Sequence, residues 1–251
     1  MKIYRNLICV PRKFVDYITP DTNSNLHAIL EVSNLLGFSQ IWLGREWNTK
    51  PVDLNTLSST HSLDLINRLD IDSSKIPKEK IVQILRRERR NFPIISVKCF
   101  DAEIAGWAAQ DNRIDILSFP PHQIGKLFTR SIAKLMIKFV KYLEISLSEL
   151  YLSPERVQIP TFRHIQQALE IAQLKSVPVI INSGASIQSS LRPPWELASL
   201  SQILLSTKET PLESISTIPT QLLSRNQVKI SNDYIAPGIF KEPEIYTQEE
   251  E

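Results

Sequence analysis

The sequence predicts an α/β fold, a single (β/α) barrel over residues 1–230 followed by an acidic tail at 231–251, on three observations. Apolar runs of strand length alternate with longer stretches of helical period, the pattern of a parallel sheet crossed over by helices. The chain has 251 residues, a common size for one such barrel. No linker rich in Pro, Gly or Ser divides it.

Taken in order, Leu-Ile-Cys-Val at 7–10 reads as the first strand. A helix over about 25–36 follows, opened by Asp21, Thr22, Asn23 or Ser24 and stopped by Gly37. Further strands are expected at 40–43, 93–98, 114–118, 142–145 and 179–182, with helices at 77–90, 102–110, 122–140 and 162–174 between them. Two closing helices are expected at 194–205 and 211–223. That makes six strands where a closed barrel has eight. Residues 62–66 and 227–230 are weaker strand candidates; without them the barrel is incomplete, and a doubly wound open sheet stays open as an alternative. The polar span 48–75 has no placement by pattern. The tail, with Pro237, Pro243 and terminal glutamates, reads as disordered.

The formal net charge is +2, but six acids oppose only Lys241 in the tail, which leaves +7 for residues 1–230. A basic body favours a polyanionic partner. Cys9 and Cys99 sit in apolar runs and read as small buried hydrophobes, in keeping with a reducing cytoplasm. The first residues show no signal-peptide pattern, and no apolar run is long enough to span a membrane.

The six glycines lie too far apart for a dinucleotide fingerprint or a phosphate-cradling loop. His27, His61, His122 and His164 are likewise scattered, so no local metal-ligand motif exists and no metal is expected on this chain. Asp115 and Glu144 stand between apolar neighbours on expected strands, where alternate residues face the barrel interior. They read either as an acid/base or metal-ligand pair, or as a buried polar cluster neutralised by Lys98, Arg113 or Arg45.

Basic residues are more informative. Seven fall between Lys75 and Arg90, and Arg86, Arg87, Arg89 and Arg90 crowd the end of a helix whose inner face is Ile81, Val82, Ile84 and Leu85. Lys126, Arg130, Lys134 and Lys138 recur every fourth residue, which keeps them on one slowly drifting helical stripe. Such stripes suit a polyanion, although cations near helix C-termini also suit the helix dipole. Finally, Ile181-Asn182-Ser183-Gly184-Ala185 ends a strand in a turn, and Leu191-Arg192-Pro193-Pro194 opens a helix whose first N–H groups attract anions. Arg192 stands where it can fork onto a phosphate.

The runs 177–185 and 191–200, with Ile218-Pro219-Thr220-Gln221-Leu222-Leu223-Ser224-Arg225-Asn226, resemble the ribonuclease P protein component three family, the thirty-kilodalton subunit of archaea and eukaryotes. Asn112-Arg113-Ile114-Asp115-Ile116-Leu117 and Leu143-Glu144-Ile145 match its fourth and fifth strand segments, and the resemblance covers about 1–228. It implies a TIM-like barrel inside the ribonucleoprotein that removes the 5′ leader of precursor tRNA, and the lack of long insertions favours the archaeal type, hence a cytoplasmic protein. Catalysis is then expected from the RNA with its magnesium ions, with no catalytic residue on this chain. The implied partners are ribonuclease P RNA, precursor tRNA, a second small protein subunit and the other subunits of the complex. By position, Arg113 and Arg192 are the expected RNA contacts, with Ser183 and Gly184 beside Arg192; residues 86–90 and 126–138 join them on charge.

Two positions depart from the family. Leu205-Ser206-Thr207 replaces a Leu-Gly turn, and the strand at 7–10 lacks an expected Asp. The family also resembles the polymerase and histidinol phosphatase barrels, whose first-strand metal-binding histidines are missing from 7–10. A metal-dependent phosphoesterase using Asp115 and Glu144, or a non-catalytic protein-binding scaffold, are the alternative readings.

Overall fold

The computed structural model describes residues 12–20, 22–49, 54–205, 212–231, 234–236 and 239–240, so the strand expected at 7–10 and Cys9 lie outside it. The first described strand is β1 (Val15–Ile18), followed by α1 (Asn23–Leu35), β2 (Gln40–Glu46), α2 (Leu54–His61), β3 (Asp64–Asp72) and α3 (Lys78–Glu88). Then come β4 (Ile94–Lys98), α4 (Ala102–Gln110), β5 (Ile116–Ser118), α5 (Ile124–Leu127), α6 (Arg130–Lys138) and β6 (Tyr142–Ser146). The barrel ends with α7 (Ser148–Tyr151), α8 (Glu155–Lys175), β7 (Val179–Asn182), α9 (Pro194–Leu205) and α10 (Thr217–Ile230).

The seven strands pair in parallel in the order β1 to β7, which rules out a doubly wound sheet, where the order reverses. The result is a nearly closed TIM-like barrel. Its seam lies between β1 and the residues after β7: Ile18 bridges Ala185, and the Thr19 N–H donates to the Ala185 carbonyl at 2.8 Å. Asp16 staples the same seam. Its Oδ1 accepts the Ser183 N–H at 2.7 Å, and its Oδ2 accepts the Ser183 hydroxyl at 2.5 Å.

Strand alternation divides the core into two layers. Inward residues Val15, Trp42, Ile94, Ile116, Tyr142 and Ile180 fill the lower lumen, and Leu222 and Leu223 of α10 plug it from below. Outward residues such as Ile41, Leu69, Val97, Leu117, Leu143 and Ile181 meet the helices. Leu222 is fully buried, so Leu222→Ala is worth about 2–5 kcal/mol. The bottom plug is thus a structural necessity of the chain, because an open lower lumen would expose this apolar layer.

Several expectations change. Residues 227–230 are the end of α10 and not a strand, since Leu222, Leu223 and Asn226 keep one helical face buried. The unplaced span 48–75 contains α2 and the longest described strand, β3, which overlaps the candidate at 62–66. The helix expected at 122–140 is broken at Phe128 and Thr129. Phe128 is buried, and the Thr129 hydroxyl caps α6 by accepting the Ile132 N–H at 3.3 Å. Beyond α10, Tyr234–Ala236 pairs antiparallel with Ile239–Phe240, so the expected tail begins with a short hairpin; residues 241–251 lie outside the described residues. Among the described residues no helix is long and apolar enough to cross a membrane. Cys99 is buried and free, and burial pushes its thiol well above the usual range.

Candidate functional site

Above the apolar layer the lumen turns polar. Arg68 on β3 points inward, with its side chain 1% exposed, and gives both terminal nitrogens to the two oxygens of Glu144 on β6. The second of these bonds is 2.6 Å long. The Arg68 Nε donates to Asp70 Oδ1 at 2.8 Å, and the guanidinium lies 3.7 Å from the centre of the Tyr17 ring. The Tyr17 hydroxyl donates to Asp70 Oδ2 at 2.9 Å. Asn182 Nδ2 donates to Glu144 at 2.7 Å, and the Ser146 hydroxyl donates to Asn182 Oδ1 at 2.8 Å. Gly44 makes room for this network, because a Cβ there would fall 2.4 Å from Asp70 Oδ2 and 2.6 Å from the Tyr17 ring.

Burial raises Asp70 to about 6, against the opposing pull of Arg68. Burial lowers Arg68, but Asp70, Glu144 and Tyr17 outweigh it and hold the guanidinium above its ordinary range. Over this network opens a cavity of about 750 Å³ at the C-terminal mouth of the strands, where barrel folds hold their ligands. Its lining includes Arg45, Asp70, Lys98, Glu144 and Glu149, and Lys98 is bound to Glu149 at 2.6 Å. A general base needs a carboxylate free to take a proton from substrate. Glu144 instead spends both oxygens on Arg68.

Asp115 does not join Glu144. It precedes β5 and lies at the opposite, N-terminal end, where Arg89 holds it at 2.6 Å, Arg225 stands 3.5 Å away and the Ile95 N–H donates to it at 3.0 Å. The two carboxylates therefore do not make an acid/base pair. Their partners are Arg68 for Glu144 and Arg89 with Arg225 for Asp115, not the Lys98, Arg113 or Arg45 suggested by sequence. Among the described residues no three His, Cys, Asp or Glu side chains come together as a metal-holding group.

The expected RNA contacts separate by end and by exposure. Arg192 follows β7 at the C-terminal side, where its Nη1 donates to the carbonyls of Leu191 at 2.7 Å and Ser189 at 2.9 Å. Its guanidinium lies 4.9 Å from the Tyr151 ring centre and 3.7 Å from Glu196, so no buried carboxylate holds it. Arg113 precedes β5 at the other end and forms two bonds to Asp111, at 2.9 and 2.5 Å. Ser183 is a correction: it is fully buried and both its polar groups bind Asp16, so it closes the wall instead of facing a ligand. Gly184 follows at φ +62°, and a Cβ there would lie 2.8 Å from the Ser146 Cβ.

Arg130, Lys134 and Lys138 line the exposed face of α6, opposite buried Ile132, Ala133 and Met136. Lys126 is also exposed but belongs to α5, so the stripe is shorter than its spacing suggested. Arg86, Arg87 and Arg90 are exposed at the end of α3, with Arg87 paired to Glu88 at 2.5 Å. Arg89 turns inward to Asp115.

Sequence reading missed Arg68, Asp70, Tyr17 and Asp16. Arg68 and Asp70 alternate with Leu69 and Ile71, a strand signal hidden inside a span that looks polar as a whole. Asp16 stands on the first described strand, β1, beyond the stretch 7–10 where the first strand was expected.

The chain spans most of the length of proteins it resembles. It is 22% identical over 220 residues to ribonuclease P protein component 3 of Methanosarcina barkeri, covering 86% of this chain and 90% of that relative. It is 20% identical over 227 residues to the same component of Halobacterium salinarum, covering 88% and 93%. A chain in the cryo-EM structure of archaeal ribonuclease P with mature tRNA superposes with a TM-score of 0.77 at 15% identity, covering 94% of this chain and all of that one. Organophosphorus hydrolase from Deinococcus radiodurans shares the fold more distantly, with a TM-score of 0.53 at 8% identity over 85% of this chain and 93% of that one. The family described as RNase P subunit p30 matches residues 8–231, nearly the whole barrel, and this chain belongs to that family.

Proposed function

We propose that the chain is a protein subunit of ribonuclease P, which removes the 5′ leader of precursor tRNA, and that it binds and supports the RNA without cutting it. The observation that carries this reading is the family match across residues 8–231. The lumen agrees with it: the central carboxylate is bound to Arg68, while Arg130, Lys134, Lys138, Arg86 and Arg90 stay exposed on the outer helices. Exposed cations of this kind neutralise backbone phosphates and release counterions, which gives affinity without sequence reading. Arg192 adds a planar fork at the other side. Catalysis belongs to the RNA and its magnesium, and a second small subunit and the remaining proteins complete the particle.

The test is purification of the tagged chain from its own cells, with sequencing of the bound RNA, followed by leader-removal assays. Ribonuclease P RNA is expected to co-purify, and the pure chain is expected to leave precursor tRNA intact with magnesium present. Leader removal by the RNA-free chain, abolished in Glu144→Gln, would overturn the division of labour.

A further inference from the structure

α10 does more than plug the barrel. Asn226 Nδ2 anchors it by donating to the Pro93 carbonyl at 2.9 Å, and this fixes Arg225 against the N-terminal ends of β5 and β6. Arg225 Nη1 donates to the Val140 carbonyl at 3.0 Å, and its guanidinium lies 5.2 Å from the Tyr142 ring centre. Arg89 arrives from the end of α3, and Lys141 precedes β6 with its ammonium bound to the carbonyls of Asp111 at 2.6 Å and Ile114 at 2.5 Å. Lys229, one turn beyond Arg225, is exposed.

The charges do not balance. Asp111, bound to Arg113, and Asp115, bound to Arg89 and Arg225, are two carboxylates among five cations, the others being Lys141 and Lys229. Burial lowers Lys141 to about 8, with Arg225 and Lys229 repelling it against the pull of Asp115 and Asp111. Lys229, though exposed, is lowered by partial desolvation and by Arg225 and Arg89, against the pull of Asp115. The helix dipole accounts for cations at the end of α10. It does not account for Arg89 and Lys141 converging there from other elements. Donors also remain: among the described residues Arg225 keeps an uncommitted N–H on each terminal nitrogen, and the Lys229 ammonium makes no side-chain hydrogen bond or ion pair within 4 Å.

The geometry points to a phosphate-binding site at this N-terminal rim, formed by Arg225 and Lys229 with Arg89 behind them. A phosphate group offers the several acceptor oxygens and the negative charge that Asp115 alone does not supply, and a forked guanidinium matches it. The site rests on the proposed function only for the source of the phosphate, the RNA backbone.

The experiment uses the full chain and the variants Lys229→Gln, Arg225→Gln and both together, with Arg130, Lys134 and Lys138→Gln on α6 as a comparison. Binding of ribonuclease P RNA is measured against salt, and inorganic phosphate is titrated while side-chain NMR signals of Lys229 and Arg225 are followed. Each lost phosphate contact is expected to lower the log–log salt slope by about 0.7–0.9. A lowered slope for Lys229→Gln, which is exposed and keeps the fold, supports a backbone phosphate. An unchanged slope with NMR shifts at millimolar phosphate supports the site with free phosphate as its source. An unchanged slope and no shift, in variants that melt like the parent, overturns the site. Failure of the parent chain to bind the RNA would instead count against the proposed function, and the phosphate titration would still decide the site.

Discussion

At the C-terminal mouth, Arg68 lies between Glu144 and Asp70, so carboxylates outnumber the cation that holds them. At the N-terminal rim, Arg89, Arg113, Lys141, Arg225 and Lys229 surround Asp111 and Asp115, and the surplus has the other sign. Each end pushes its surplus toward neutrality: Asp70 rises, chiefly by burial, and Lys141 falls for the same reason. The mouth is the customary ligand end of such barrels, yet its buried arginine is committed to Glu144 and Asp70, while exposed cations lie at the rim and on outer helices.

The largest effect is expected at Arg68. Arg68→Met strands Glu144 and Asp70 together in the lumen, and a loss of roughly 3–5 kcal/mol is expected in chemical denaturation. Adding Glu144→Leu removes one stranded charge and is expected to recover part of that loss. A single variant as stable as the parent would show that the lumen is open to water and that Glu144 is available for chemistry.

Arg192 is next. Its partners are two carbonyls, the Tyr151 ring and Glu196 at 3.7 Å, so Arg192→Ala is expected to cost less than about 1 kcal/mol of stability. Holoenzyme activity is expected to fall roughly 10- to 100-fold, the worth of a charged hydrogen bond of about 1.5–3 kcal/mol. Arg192→Lys is expected to lose nearly as much, since a point charge does not reproduce the fork. A large drop in melting temperature with activity retained would make Arg192 a structural residue.

The sequence exposed the β/α alternation, the strands from 40–43 onward and the basic groups, because those signals are local. Asp115 and Glu144 were visible as acids in apolar strands, but which end each occupies depends on strand parity and on the partner across the barrel. Arg68 lies 76 residues from Glu144, a separation no local pattern reports. The strand Val15–Ile18 was passed over because Phe-Val-Asp-Tyr-Ile carries an aspartate, whereas Leu-Ile-Cys-Val is uniformly apolar. The rim cluster was hidden for a related reason: residues 227–230 looked like a strand, so Lys229 was not placed on the helix that carries Arg225, and nothing local set that helix against Asp115.

A smaller effect concerns pH. Burial raises Asp16 to about 7 and Asp70 to about 6, both above the value near 4 of an unfolded aspartate. Between those limits the folded chain binds more protons than the unfolded one, so stability is full at the acid end and declines as pH rises through about 4 to 7. Denaturation midpoints are expected to be higher near pH 5 than near pH 8. Asp16→Asn is expected to flatten the dependence, since it removes the titrating group at the seam while leaving an oxygen for the Ser183 N–H. A dependence that rises with pH instead would mean that the hydrogen bonds from Ser183 and Tyr17 outweigh burial.

The smallest effect ties the tail to the rim. Residues 241–251 carry five glutamates against Lys241, and they follow the helix that ends in Arg225 and Lys229. Deleting them retains the barrel, α10 and the hairpin, so the melting temperature is expected to stay in place. RNA affinity is expected to rise by less than about tenfold at low salt, and the gain is expected to fade as screening shortens the reach of exposed charges to about 10 Å at 0.1 M. The informative measurement is the same deletion in the Arg225→Gln, Lys229→Gln background. If the gain disappears there, tail and RNA compete for the rim cations. If it persists undiminished, the tail acts on the general field of the basic body, and the α6 stripe becomes the surface to test next.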